Sequence, residues 1–341
     1  MKTKAVFLGE SKERIDSVYS NNIEIMQKLT SELEFPADII NLSNIEQYKD
    51  YTNECRYIFS TWGMLNLNEI DIAKYFSKCE VVFYGAGSVQ YFAREYLKSG
   101  IKITSAWVAN GIPVAEFAVS EIIMAFKGYY KILRKVKKPD DWWSLHRTTG
   151  GNYTGNYNTK IGILGAGTIG KRVISYLQKL NIKTEILVHD PYFSEKQAAE
   201  MNVRKASLEE IFKTCGVISN HVANLPSTVG MINKTHFDLM QDYSTFINTG
   251  RGAQIVESDM INALKNNKTL TALLDVTEPE PPETDSELYN LDNVILTPHI
   301  AGVIGNELHR LSDCMYDEYN LYENEKKLNY EVTLEMLEYM A

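Results

Sequence analysis

The chain has 341 residues, of which 44% are apolar and 23% are charged, and its formal net charge is −9. This length predicts about two globular domains, and the negative charge disfavours nucleic acid as a partner. The four cysteines form no C-x-x-C pair, which argues against a disulfide framework or a zinc site, and we expect no metal. No run reaches the ~18 apolar residues that span a bilayer, and no leader is expected, so the sequence predicts a cytoplasmic protein without membrane contact.

The first third of the chain alternates short apolar runs with helical patterns, which predicts parallel βα units. The runs that predict strands are Lys4 to Leu8, Ala37 to Leu42, Tyr57 to Ser60, Val81 to Tyr84 and Ile101 to Thr104. The fourth run continues into Gly85, Ala86, Gly87 and Ser88. Gly85 and Gly87 match the first two glycines of the nucleotide-binding pattern G-x-G-x-x-G, but Gln90 occupies the position of the third. Cofactor binding is therefore disfavoured there.

The middle of the chain links this region to a second alternating one. Residues Val114 to Tyr130 predict a long apolar helix. Lys137 to Tyr157 predict a loop because this segment contains Pro139 and three glycines, Gly150, Gly151 and Gly155.

A glycine fingerprint follows in the sequence IGILGAGTIG, which starts at Ile161. An apolar strand runs into Gly165, Gly167 and Gly170, and a helical pattern begins at Thr168. The first glycine permits a tight turn, the second a close approach to a pyrophosphate, and the third close packing of helix on sheet. Asp190 ends the next strand about 20 residues later, where a carboxylate binds ribose hydroxyls and repels a 2′-phosphate. The segment therefore predicts a dinucleotide site that prefers NAD to NADP.

The strand and helix alternation then continues to the end of the second region. Further predicted strands are Glu185 to Val188, Gly216 to His221, Ser244 to Asn248, Leu270 to Leu274 and Val294 to Leu296, followed by a helix over Asn306 to Asn324 and no further strand. The sequence thus predicts an α/β fold of two doubly wound parallel-sheet domains with a ligand cleft between them. The last helix returns to the first domain, so we expect domains of 1–107 plus 302–341 and of 108–301.

Ionisable residues follow three of the predicted strands in the second domain. Arg251 follows FINTG, Asp275 and the loop TEPEPP follow the next strand, and His299 follows ILTP. Ligands bind at the carboxyl ends of strands in such sheets, so we expect these side chains to form one site. Glu278 and Glu280 both lie in the proline-rich loop, and each is a candidate partner for His299.

The order of these motifs resembles the D-isomer-specific 2-hydroxyacid dehydrogenases, which include glycerate, phosphoglycerate, lactate and formate dehydrogenases. The matching pieces are GAGS, NGIPVAE, the glycine fingerprint, HVANLPSTVGMIN, INTGRG, DVTEPEP and TPHIAG. The resemblance implies a flavodoxin-like substrate domain, a Rossmann NAD-binding domain, and hydride transfer between NAD and C2 of a small D-2-hydroxy acid or 2-oxo acid.

The resemblance also implies roles for individual residues. Arg251 would bind the substrate carboxylate, His299 would act as acid and base, and Glu280 would pair with His299. Asp275 would contact the nicotinamide carboxamide. The implied cofactor contacts are Gly165, Gly167, Thr168, Ile169, Gly170, Asp190, Val222, Thr228, Thr249, Gly250, Asp275, Ala301 and Gly302. The implied substrate contacts are Gly85, Ala86, Gly87, Ser88, Arg251 and His299.

Some features leave alternatives open. Phosphoglycerate-specific members of the family that this chain resembles tend to place an arginine after the segment matching Phe59 and Ser60. This chain has none there, so the resemblance disfavours a phosphorylated substrate. Trp62, Met64 and Tyr84 either line an apolar pocket or belong to the core. The resemblance implies a homodimer that uses the long helix and the Trp142 and Trp143 segment. An alternative function is an NAD(H)-sensing protein like the family's corepressors, with little turnover.

Overall fold

The computed structural model describes residues 2–133, 135–180 and 182–340 of the chain. The chain divides into two compact units, each with its own hydrophobic core. Unit 1 comprises Met1–Gly111 and Val303–Ala341, and unit 2 comprises Ile112–Gly302. The chain therefore crosses between the units twice, close to the crossings predicted after residues 107 and 301.

The strands, numbered in chain order, have the following bounds: β1 Thr3–Phe7, β2 Leu33–Glu34, β3 Tyr57–Ser60, β4 Val81–Tyr84, β5 Lys102–Ser105, β6 Tyr157–Leu164, β7 Lys183–His189, β8 Arg204–Lys205, β9 Val217–Asn220, β10 Thr245–Asn248, β11 Thr271–Leu274, β12 Val294–Leu296 and β13 Glu331–Val332.

The α-helices have the following bounds: α1 Lys12–Ile15, α2 Ile23–Glu32, α3 Lys49–Thr52, α4 Glu69–Tyr75, α5 Ala93–Lys98, α6 Trp107–Ala125, α7 Tyr129–Ile132, α8 Pro139–Asn152, α9 Thr168–Lys179, α10 Glu195–Glu200, α11 Leu208–Thr214, α12 Lys234–Phe237, α13 Glu257–Asn266 and α14 His309–Glu323.

Unit 1 contains a six-stranded sheet in the order β13-β5-β4-β3-β1-β2 across the part of the chain that the structure describes. All its pairings are parallel except that of β13, which runs antiparallel to β5. Every residue of β3 and β4 is buried. This is typical of a parallel sheet that has helices on both faces. Strand β13 corrects the expectation that no strand follows Gly302. It has two residues, too few to show an alternating pattern.

Unit 2 contains a seven-stranded parallel sheet in the order β12-β11-β10-β9-β6-β7-β8, counted over the described residues. Strands β6, β7 and β8 follow one another toward one edge of the sheet. The next strand, β9, lies on the other side of β6, so the direction of strand order reverses between β6 and β9. Ligands bind at such a reversal in doubly wound sheets, at the carboxyl ends of the strands. The predicted α/β fold of two parallel-sheet domains is confirmed.

Helix α6 is long and apolar enough to cross a membrane by length and composition alone. Ala115, Ala118 and Ile122 on this helix are nevertheless fully buried in the hydrophobic core of unit 2. Such burial is typical of the core helix of a globular protein.

Two local predictions are wrong. The loop predicted over Lys137 to Tyr157 contains helix α8, which begins with Pro139 in its first turn, followed by Asp140 and Asp141. None of its residues is buried, and its three large apolar residues lie together near its start, so no apolar stripe runs along it to reveal a helical period. The strand predicted over Ala37 to Leu42 is reduced to an isolated bridge between Leu8 and Ile40.

Candidate active site

The glycine fingerprint forms the turn between β6 and α9. Gly165 has a φ of +84°, and a Cβ atom there would lie 2.7 Å from the carbonyl oxygen of His221. A Cβ atom on Gly170 would lie 2.0 Å from the carbonyl oxygen of Gly165. Both positions therefore exclude side chains, because the turn packs against the end of β9 and against the first turn of α9.

Gly167 has a different environment, since a Cβ atom there would meet nothing within 4 Å. Gly167 is the N-cap of α9, and no side chain caps this helix. The first N–H groups of a twelve-residue helix, which include those of Thr168 and Ile169, are thus available to an anion. Open space beside uncapped N–H groups fits the pyrophosphate of a dinucleotide.

Asp190 follows β7 and lies beside this turn. Its Oδ2 accepts a hydrogen bond of 2.7 Å from the backbone N–H of Ala166, and its Oδ1 accepts one of 2.7 Å from that of Tyr192. The carboxylate thus supports the glycine turn. Each oxygen has a further lone pair that can accept a ribose hydroxyl.

The end of β9 leads into the loop that carries two predicted cofactor contacts. His221 is buried, with Nε2 3.0 Å from Ser219 Oγ and Nδ1 3.3 Å from Thr249 Oγ1. Burial lowers the pKa of His221 to about 4, so this side chain is neutral and joins β9 to β10. Thr228 Oγ1 donates to the carbonyl oxygens of Ala223 and Leu225, so this hydroxyl stabilises its own loop.

Arg251 follows β10 in a tight turn. Its Nη1 donates to the carbonyl oxygen of Gly250 at 2.8 Å, and its own backbone is held by the side chains of Asn248 and Gln254. Burial lowers the pKa of the guanidinium, and the nearby Glu280 opposes this shift. Since arginine stays protonated, this poorly hydrated cation is suited to an anionic ligand.

Asp275 directly follows β11 and holds the loop after β12 through its carboxylate and its backbone carbonyl. Its Oδ1 accepts from Thr297 Oγ1 at 2.6 Å and from the N–H of Ile300 at 2.8 Å, while its Oδ2 accepts from the N–H of Ala301 at 2.9 Å. The backbone carbonyl of Asp275 also accepts from the N–H of His299 at 3.0 Å. Three of its four carboxylate lone pairs are used in this way, which leaves one on Oδ2 for the predicted carboxamide contact.

His299 and Glu280 form a pair at this edge of the sheet. Nδ1 of His299 lies 2.6 Å from Oε1 of Glu280, and both side chains are nearly half exposed. Nε2 has no hydrogen-bond partner among the described residues. His299 has a φ of +54°, a conformation that residues other than glycine rarely adopt and that is concentrated at functional sites. Glu278, the competing carboxylate, makes no such contact with His299.

Helix α6 contributes a buried acid that the sequence analysis missed. Glu121 is 7% exposed, and burial together with the nearby Asp275 raises its pKa to about 8. The available signal is helical spacing, because Ala118 and Ala125 lie three residues before and four residues after it on the same apolar face.

Within unit 1, the residues Gly85 to Ser88 form a loop after β4. The hydroxyl of Thr61 donates to the carbonyl of Gly85 at 2.7 Å, and the hydroxyl of Ser105 donates to those of Ala86 and Gly87 at 2.8 and 2.7 Å. The N–H groups of Gly87 and Ser88 have no partner among the described residues. The loop is therefore held by its carbonyl groups and presents unpaired N–H donors.

The aromatic residues near this loop belong mainly to the core. Tyr84 and Met64 are each 1% exposed, and Trp62 packs against the same cluster while remaining partly exposed. Tyr84 and Met64 therefore belong to the hydrophobic core of unit 1 and do not line a pocket.

Comparison with known proteins identifies the family. Residues 119–301 match the family model described as "D-isomer specific 2-hydroxyacid dehydrogenase, NAD binding domain". The chain belongs to this family. NAD is accordingly the cofactor of unit 2, and the open, uncapped start of α9 fits its pyrophosphate.

Two curated relatives of this 2-hydroxyacid dehydrogenase family are similar over part of the chain. A D-3-phosphoglycerate dehydrogenase from Archaeoglobus fulgidus is 32% identical over 202 residues, which cover 59% of this chain and 37% of that protein. A hydroxypyruvate reductase from Blautia hydrogenotrophica is 35% identical over 153 residues, or 45% of this chain and 47% of that protein. The chain thus spans less than half the length of these relatives. Their names give no support to the corepressor-like alternative.

A solved structure shows the same fold over nearly the whole chain. The apo form of D-mandelate dehydrogenase from Rhodotorula graminis has a TM-score of 0.79 and 19% sequence identity, with 97% of this chain and 98% of that chain covered.

Proposed function

We propose that this chain is an NAD-dependent D-2-hydroxyacid dehydrogenase that acts on a small 2-hydroxy acid or, in reverse, on a 2-oxo acid. The observation that carries the proposal is the His299–Glu280 pair, with a separation of 2.6 Å, in which Glu280 also interacts electrostatically with the partly buried guanidinium of Arg251. An acid and base beside a carboxylate-binding cation is what reduction of a 2-oxo acid requires.

In this proposal, Arg251 binds the substrate carboxylate through its planar guanidinium and so orients the adjacent carbonyl group. The protonated imidazole of His299 donates its Nε2 proton to the carbonyl oxygen, while Nδ1–H stays hydrogen-bonded to Glu280. The Glu280 carboxylate stabilises the imidazolium before transfer and fixes which nitrogen faces the substrate. NADH, when bound, supplies the hydride that C2 receives. The same groups act in the opposite order during oxidation.

The substrate loop of unit 1 supports an anionic ligand as well. The unpaired N–H groups of Gly87 and Ser88 are donors of the kind that receive carboxylates, and the fixed carbonyl groups of the loop keep those donors in place. We assign no phosphate group to the substrate, because Thr61, Trp62, Gly63 and Met64 supply no cation after β3.

The test is oxidation of NADH, followed by absorbance, across a panel of 2-oxo acids that includes glyoxylate, pyruvate, hydroxypyruvate, 2-oxoisocaproate and phenylpyruvate. We expect saturable turnover with at least one of them and a weaker reaction with NADPH. A flat response across the panel, obtained with protein that binds NADH, would contradict the proposal.

We also propose a cytoplasmic homodimer. Trp142 and Trp143 on α8 are 58% and 61% exposed, and two large apolar side chains on one short helix are more typical of an interface than of a free surface. Light scattering at micromolar concentration should give twice the chain mass, and a monomer mass would refute the dimer.

A further inference from the structure

Three buried side-chain amides lie at the carboxyl ends of β9 and β10, between two predicted ligand-binding loops. Asn220, Asn248 and Gln254 are all 0% exposed. The Nδ2 group of Asn220 donates to Asn248 Oδ1 at 2.9 Å and to Gln254 Oε1 at 2.6 Å. The three residues therefore form a single cluster, which we call the amide cluster.

On one side, the amide cluster holds the backbone around Arg251. Asn248 Nδ2 donates to the carbonyl oxygen of Arg251 at 3.0 Å, and Asn248 Oδ1 accepts from the N–H of Gly250 at 3.0 Å. Gln254 Oε1 accepts from the N–H of Arg251 at 3.3 Å. The backbone N–H before the arginine and both backbone groups of the arginine itself are thus fixed by Asn248 and Gln254, which Asn220 joins.

On the other side, the amide cluster holds both backbone groups of Val222. Its N–H donates to Asn220 Oδ1 at 3.2 Å, and its carbonyl accepts from Gln254 Nε2 at 2.6 Å. Gln254 therefore contacts the Arg251 turn and the Val222 loop with the two ends of one amide group.

We propose that the amide cluster is a positioning unit that joins the predicted cofactor loop at Val222 to the predicted substrate cation at Arg251. This inference rests on the proposed function, because it takes Arg251 as the group that binds the substrate carboxylate. An amide side chain offers two N–H donors and an acceptor oxygen on one carbon without a charge. A carboxylate in the place of any member would bring two oxygens together in a buried site, and an apolar side chain would leave buried backbone groups unpaired.

The test compares Gln254→Met, which keeps the length of the side chain but removes its hydrogen bonds, with Asn293→Leu. Asn293 is a matched control in the same unit, since it is 2% exposed and its Nδ2 donates to the carbonyl oxygens of Leu264 and Leu270, away from the cluster. Both variants lose a buried amide that binds backbone, so a general loss of stability should affect them alike.

Hydrogen exchange measured by mass spectrometry reports on the cluster without any substrate. In Gln254→Met we expect the peptides that contain Val222 and Arg251 to lose protection together, by about tenfold, whereas Asn293→Leu leaves both unchanged. In steady-state kinetics with the best 2-oxo acid, KM should rise at least tenfold in Gln254→Met while kcat falls less than threefold. A weakened carboxylate contact has such an effect, because it removes binding that the ground state and the transition state share.

Equal exchange and equal KM in Gln254→Met and Asn293→Leu would overturn the inference while leaving the proposed function intact. If Gln254→Met loses protection at both peptides but the parent protein reduces no 2-oxo acid, the proposed function is refuted and the cluster is left with the cofactor loop alone. If Gln254→Met does not fold, Asn248→Asp replaces it. That variant keeps both acceptor contacts of Oδ1, places an oxygen against the carbonyl of Arg251, and should raise KM in the same way; an unchanged KM would again contradict the proposal.

Discussion

Nδ1 of His299 and Oε1 of Glu280 are 2.6 Å apart, although the two residues leave different strands of the sheet and are 19 positions apart in the chain. The contact leaves Nε2 of the imidazole facing away from the carboxylate and without a partner in the described part of the chain. Glu280, the residue that the family resemblance favours over Glu278, is the one that contacts His299.

Loss of the imidazole should abolish most turnover without affecting cofactor binding. We expect His299→Ala to lower kcat by about 100-fold or more, the usual contribution of a positioned acid and base. Glu280→Gln should lower kcat by a smaller factor, because the amide can still accept from Nδ1 but cannot balance the imidazolium charge. The measurement is kcat from NADH absorbance, with the Kd of NADH from its fluorescence.

The matched control for that pair is Glu278→Gln, which removes an equal charge from the same loop without touching His299. Its kcat should stay within about twofold of the parent value, a change too small to represent a lost catalytic contact. Equal losses of kcat in Glu278→Gln and Glu280→Gln would show that the rate depends on the total charge of the loop and not on the contact between Glu280 and His299.

Asp190 should determine the choice between NADH and NADPH. Asp190→Ser removes the charge that repels a 2′-phosphate, so the ratio of kcat/KM for NADH to that for NADPH should fall about tenfold, which corresponds to roughly 1.4 kcal/mol. Some weakening of NADH binding is also expected, since the carboxylate holds the N–H of Ala166. Glu200→Gln, an exposed charge on α10, is the control. An unchanged ratio in Asp190→Ser would mean that this acid does not contact the ribose.

The buried Glu121 should make the fold less stable as the pH rises. Its folded pKa of about 8 lies above the ordinary value of 4.5, so the unfolded chain releases a proton that the folded chain keeps. The stabilisation from the neutral acid is therefore complete below pH 4.5 and is lost between pH 4.5 and 8. We expect Glu121→Gln to raise the free energy of unfolding at pH 8 by about 1 kcal/mol or more, with little change at pH 5.

The exposed Glu116 on the same helix provides the comparison for Glu121. Glu116→Gln should leave the pH dependence of urea unfolding as it is in the parent. If Glu121→Gln also leaves that dependence unchanged, the buried acid is not the group that titrates.

Two glycines of unit 2 should respond to alanine in opposite ways. A Cβ atom on Gly252 would lie 2.0 Å from the carbonyl carbon of Thr277, so Gly252→Ala must displace the backbone of the loop that carries Glu280. We expect a loss of stability of roughly 1–3 kcal/mol and low activity. Gly167→Ala has free space for its methyl group and should keep the parent Tm while weakening NADH binding. Similar Tm values for both variants would contradict the packing argument.

The sequence by itself determined the features that depend on local pattern. Apolar-rich runs without charged residues marked the core strands β3, β4, β10 and β11, because strands buried on both faces have no room for unpaired charges. The glycine fingerprint marked the turn at Gly165, since the positive φ there leaves little choice of residue. The family, the two parallel-sheet domains and NAD as cofactor were predicted from these patterns and are confirmed; the catalytic roles stay predictions.

Only the tertiary structure decided the features that depend on contacts between distant segments. The use of Nδ1 of His299 for the contact with Glu280, the use of Asp275 to hold the loop after β12, and the amide cluster all depend on residues from different segments. Helix α8 lacks an apolar stripe, and β13 is too short to show alternation, so neither has a local signal. Parallel strands bring their ends together across long crossovers. Which side chains meet there is therefore set by the order of the sheet, which no single stretch of sequence contains.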